Sequence, residues 1–107
     1  MEVFTHHLYE YKKGLRNLVL HTFAEKYLDR VISRLVREGI DYKVYSLGRS
    51  RVNLFFGASE CVEIIQKIGK ARLNKYSPEE DFILGIMLGY ARKAQCTRYL
   101  KIKSKCI

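Results

Sequence analysis

Apolar and polar positions along this chain change period several times, and each change predicts an element. The run NLVLH, Asn17 to His21, is short and nearly all apolar, as a buried strand is. Gly14 before it is a plausible stop for a short helix over residues 5–13, capped by Thr5. Thr22 stands three residues before Glu25, the spacing of a capping box. Tyr27, Leu28, Val31, Ile32, Leu35 and Val36 then recur at helical spacing until Gly39, which predicts a helix over 23–38. Lys26, Arg30, Arg34 and Arg37 form a basic stripe on its other face, partly offset by Glu25 and Asp29.

From residue 40 the period becomes two. IDYKVYSL and RVNLFF flank GRS, a glycine-containing turn of hairpin length. Ile40, Tyr42, Val44, Val52, Leu54 and Phe56 fall on one side of the pattern. Lys43, Tyr45, Leu47, Arg51, Asn53 and Phe55 fall on the other. A second helix is expected from Ser59, its cap, to about Ile68. The order β-α-β-β-α is most of the split βαβ motif of ferredoxin-like folds without its last strand, and a right-handed crossover puts the third strand between the other two. The expectation is a single α+β domain over residues 1–107, with a three-stranded antiparallel or mixed sheet and C-terminal helices packing on the core or a dimer interface.

Those helices begin at SPEED, where Ser77 caps, Pro78 takes the first helical position and three acids complement the dipole. In LGIMLGYARKAQ, Gly85 and Gly89 lie four apart in a run whose apolar residues face every side, the pattern of a buried helix. A helix interior glycine costs about 1 kcal/mol relative to alanine, so two of them suggest close packing. Phe82, Gly85, Ile86, Gly89 and Tyr90 are therefore expected to press against the sheet's outer face or a second copy. A helices-on-one-face sheet leaves its other face unfinished, and twofold dimers are the commonest oligomers, so a homodimer is favoured.

Charge changes the picture further. The net charge of +9 favours anionic partners. Arg92, Lys93, Arg98, Lys101, Lys103 and Lys105 share residues 92–105 with no acid. Cys61, Cys96 and Cys106 are odd in number and show neither a disulfide framework nor metal-ligand spacing. The first two are expected as small buried hydrophobes, Cys106 as exposed and open to oxidation between chains. No signal peptide or membrane-length apolar run is visible, and a cytoplasmic protein is expected. Adjacent His6 and His7 diverge, His21 ends a strand, and no metal site is expected. No catalytic motif and no cofactor fingerprint emerge; the single glycine of FFGASE reads as a strand-to-helix turn rather than an anion site near Arg49 and Arg51.

SPEEDFILGIMLGYARKAQCTRYLK, with EVFTHHLYEYKKGLRNLVLHT at the start, resembles a small bacterial family known as domain of unknown function twenty twenty-three. The resemblance covers essentially the whole chain. It implies an α+β protein with three strands and five helices that forms a homodimer, and it implies no activity and no functional residues.

The function expected is binding without catalysis, to an acidic macromolecule and foremost an acidic protein. Arg92, Lys93, Arg98 and Lys101 form the first candidate patch, and Lys26, Arg30, Arg34 and Arg37 the second. The alternative is nucleic acid, with Arg51, Asn53, Phe55 and Tyr45 as a basic aromatic sheet face for unpaired bases. A sensor of phosphorylated effectors is the third.

Overall fold

The computed structural model describes residues 2–105 and puts the most apolar strand at the centre of the sheet. In chain order the elements are α1 (Glu2–Lys12), β1 (Leu18–Ala24), α2 (Leu28–Arg37), β2 (Asp41–Gly48), β3 (Arg51–Gly57), α3 (Ser59–Ile68), α4 (Pro78–Met87) and α5 (Arg92–Ser104). Single 3-10 turns occupy Glu25–Tyr27 and Leu73–Lys75. The sheet order is β1-β3-β2, and β3 is antiparallel to both neighbours. The third strand thus lies between the first two, as expected from the crossover.

Because β3 is central, both its faces are dry, and residues 52 to 57 are all buried. Alternation divides them between two cores. On one face Val52, Leu54 and Phe56 meet Phe4 and Leu8 of α1 and Val31 and Leu35 of α2. On the other, Phe55 packs with Leu18, with Val62 and Ile65 of α3, and with Leu84 and Leu88 at the end of α4. Each such Phe or Leu contributes roughly 1.5–3 kcal/mol by leaving water. The helices therefore lie on both faces: the chain itself covers the face that the sequence left unfinished, with α3 as well as α4. The buried Asn53 is satisfied across the sheet, where the Thr22 hydroxyl donates to its Oδ1 at 2.5 Å.

Several local expectations are corrected. Thr22 does not cap a helix; it pairs with Asn53 in a strand that runs on to Ala24, and α2 begins only at Leu28. Leu18 and Leu20 serve one face while Val19 and Phe23 serve the other, so the period of two persists past His21. Helix α1 starts at Glu2, which puts Thr5 inside it rather than at its cap. Ser59 is the first residue of α3, and its hydroxyl donates to Glu60 while Ala58 holds the capping position. At Ser77 the expectation is fulfilled: its hydroxyl accepts from the Glu80 amide at 3.1 Å and Glu80 accepts from the Ser77 amide at 2.8 Å.

The two glycines of LGIMLGY have unrelated roles. Gly89 ends the helix: at φ +85° it lets its amide reach the Ile86 carbonyl and the Tyr90 amide reach that of Gly85. A Cβ at Gly89 would meet nothing, so no strip of paired glycines exists. Gly85 alone is a packing residue, buried beneath Gln95 of α5. Nor is the segment dry all round. Leu84 and Leu88 are buried, Phe82 and Ile86 are half-buried, and Ile83 and Tyr90 are 40% and 56% exposed.

Candidate partner-binding surface

Helix α5 is thirteen residues long, and none of them is buried. Helices of that length are marginal in water on their own. What holds it is α4, through contacts set by the acids of SPEED. Asp81 receives a two-pronged grip from Arg98, at 2.8 and 3.1 Å. Glu79 accepts from the Tyr99 hydroxyl at 2.8 Å and pairs with Lys103 at 3.0 Å. Glu80 takes Lys70 at 2.6 Å as well as the capping bond. Lys103 foremost, then Tyr99, draws the Glu79 carboxyl below its ordinary range, and Lys70 does the same for Glu80. The Phe82 and Tyr99 rings meet at 5.5 Å between centroids.

The acid cluster is therefore spent inside the molecule, and the first basic patch divides. Arg98 is a structural clamp on α4. Arg92, Lys93 and Lys101 are exposed and have no carboxylate partner among the described residues. Arg92 and Lys93 precede Cys96 by four and three positions and share its side of the helix; Lys101 falls on another side. In the second patch, Arg34 pairs with Glu38, which also takes Lys12. Those bonds, Lys12 first, pull the Glu38 carboxyl down. Lys26 lies over the Tyr27 ring, 5.2 Å from its centroid, and Arg30 and Arg37 are exposed. The two patches lie on opposite sides of the sheet, since α2 covers one face and α4, which carries α5, the other.

An apolar groove of about 500 Å³ lies along the outside of the α4–α5 pair, lined by Glu79, Phe82, Ile83, Cys96, Tyr99 and Leu100. Leu100 is 66% exposed. Cys96 is exposed too, against expectation, whereas Cys61 is half-buried and its thiol pushed up by burial. Cys106 lies outside the described residues.

Other candidate chemistry is displaced by the fold. Phe55 is buried beneath α3 and α4, Asn53 is buried as well, and Tyr45 donates to the Ile65 carbonyl at 3.3 Å, so these residues offer bases no face to stack on. Arg49 and Arg51 stand at the hairpin tip, the opposite end of β3 from Gly57 and about 20 Å away at strand rise. They do not gather at the FFGASE turn. There Gly57 serves close approach: a Cβ would come within 2.3 Å of the Asn17 carbonyl oxygen. His7 and His21, far apart in sequence, bring their rings to 5.2 Å, and Arg16 donates to His7 Nδ1 at 3.1 Å. Only the pairing of β1 with α1 reveals this; spacing carries no trace of it. Among the described residues no group of three metal-ligating side chains forms, and no helix is long and apolar enough to cross a membrane.

Residues 2–102 match the model of a family described as "Protein of unknown function (DUF2023)". None of the curated proteins matches the chain.

Proposed function

The chain belongs to that family of proteins of unknown function, and from this premise we propose that it is a cytoplasmic binding protein, not an enzyme, whose basic surface engages an acidic macromolecule, foremost an acidic protein. One observation carries the reading: the net charge of +9 is left uncompensated where it is densest, because the nearby acids Glu79, Glu80 and Asp81 are consumed by Lys103, Lys70 and Arg98. Arg92, Lys93 and Lys101 then present charge without local neutralisation, which speeds encounter with an anionic surface. The cytoplasm is inferred from free Cys61 and Cys96 in a chain with an odd cysteine count.

Affinity capture on the immobilised full chain, at low and high salt and with or without nuclease, tests the reading. An acidic protein retained at low salt, released at high salt and indifferent to nuclease supports it. Retention that nuclease abolishes would instead assign the surface to nucleic acid.

Self-association is a second reading, favoured by the wet apolar side chains Ile83, Tyr90 and Leu100. The sheet no longer calls for a second copy, but these residues offer an apolar area for one. Sedimentation at micromolar concentration decides it: a 12.6 kDa species alone would remove the homodimer.

A further inference from the structure

We propose that the groove between α4 and α5 is the seat of an amphipathic acidic helix from another protein. The inference rests on the binding reading above and gives it a place and a partner shape.

Two features converge on this face. The first is incompleteness. Helix α5 buries no residue, and its attachments to α4 are a ring contact, Gln95 over Gly85, the hydrogen bond from Tyr99 to Glu79, and ion pairs open to solvent. An exposed pair such as Lys103–Glu79 stabilises little. Ile83, Cys96 and Leu100 meanwhile form a continuous apolar strip rather than scattered wet residues, and such strips mark interaction sites. A groove between two helices accepts the apolar stripe of a third, whose anchors recur at i, i+3, i+4 and i+7.

The second is charge. Arg92 and Lys93 flank the groove at the start of α5, and Lys103 stands toward the other end. Glu79, the carboxylate in the lining, already holds Tyr99 and Lys103. A guest helix with acids beside its apolar stripe would neutralise Arg92 and Lys93. A second copy offers an α5 with no acid at all, so mutual docking sets cation against cation. A nucleic-acid backbone would satisfy the cations and leave Ile83 and Leu100 against phosphate and sugar.

The test places a benzophenone side chain at position 83 or 100 of the full chain in its native cells, with position 30 on α2 as control, and maps the linked peptide after irradiation. The expected product joins positions 83 and 100, not 30, to an acid-rich segment of another protein with apolar residues at helical spacing. Leu100→Glu should weaken capture of that protein about tenfold or more, as loss of an interface anchor does. Its helical circular dichroism should be unchanged, since Leu100 faces water. Ile83→Glu is the second variant. Cross-links to a second copy would overturn the proposal. Capture undiminished in both variants would move the partner elsewhere and leave the binding reading standing. Failure of the unaltered chain to capture any acidic protein would strike the binding reading itself.

Discussion

Gln95 of α5 lies over Gly85 of α4 so closely that a Cβ on residue 85 would stand 2.0 Å from its Oε1 and 3.1 Å from its Cγ. The glycine that looks like half of a paired motif is the notch in which the last helix sits. Gly85→Ala should therefore show two opposed effects. Alanine favours the helix by about 1 kcal/mol, but Gln95 must swing out and loosen α5. In a Gln95→Ala background only the gain remains. Denaturant unfolding of both singles and the double should give a coupling of about 0.5 kcal/mol or more; equal effects of Gly85→Ala in the two backgrounds would contradict this contact.

Gly57 and Gly89 should rank far apart. At Gly57, φ is +148° and the added Cβ would stand 2.3 Å from the Asn17 carbonyl oxygen, backbone against backbone at the join of β1 and β3. Gly57→Ala is expected to cost about 3 kcal/mol or more, through strain and clash together. At Gly89 the φ of +85° is the whole penalty, because the space is empty. Gly89→Ala should cost about 1 kcal/mol. Thermal unfolding of the two variants checks the order.

The hairpin tip carries removable strain. Arg49 and Ser50 form its two-residue turn with φ of +51° and +57°, a conformation that asparagine and glycine adopt more easily. Arg49→Asn with Ser50→Gly should stabilise the fold by about 1–2 kcal/mol, visible as a raised midpoint at unchanged denaturant slope. A lowered midpoint would mean that the arginine contributes more than its backbone costs.

Acid should weaken the fold in two windows. Burial lowers the pKa of both His7 and His21, with Arg16 adding to the first and His7 to the second. The folded chain then binds fewer protons than the unfolded one, so stability is full above the ordinary histidine value of 6.5 and drains as pH falls below it. The second window opens below 4.5, where Glu38, Glu79 and Glu80, all held low by lysine partners, become protonated and release Lys12, Lys103 and Lys70. His21→Gln should shrink the first window to the part that His7 contributes through its own burial, and leave the second. Urea midpoints across pH 3–8 on the two proteins measure it, and an upper window of unchanged size would contradict the histidine assignment.

Much of the fold was legible because period and turn chemistry agree. Alternation on either side of the turn assigned Ile40, Tyr42, Val44, Val52, Leu54 and Phe56 to one face and Tyr45 and Phe55 to the other, though not the irregularity between Ser46 and Gly48, and SPEED announced a cap that the structure completes. Where two local signals competed, the longer-range one won. Thr22 and Glu25 have capping-box spacing, but Asn53 across the sheet claims the Thr22 hydroxyl and Phe23 is drawn into the first core. Gly85 and Gly89 read alike as letters; only backbone conformation separates a helix stop from a packing notch. Of the basic residues, sequence identifies the surplus but not which members are spent. Arg98 and Arg34 look like Arg92 until Asp81 and Glu38 are located.

The central claim is that unneutralised charge beside the α4–α5 groove draws an acidic partner, and the association rate of the captured partner tests it most directly. With Arg92→Glu and Lys93→Glu together, that rate should fall about tenfold or more at low salt, and the gap to the unaltered chain should close as salt is raised. An on-rate that ignores both the charge reversal and the salt would contradict the account.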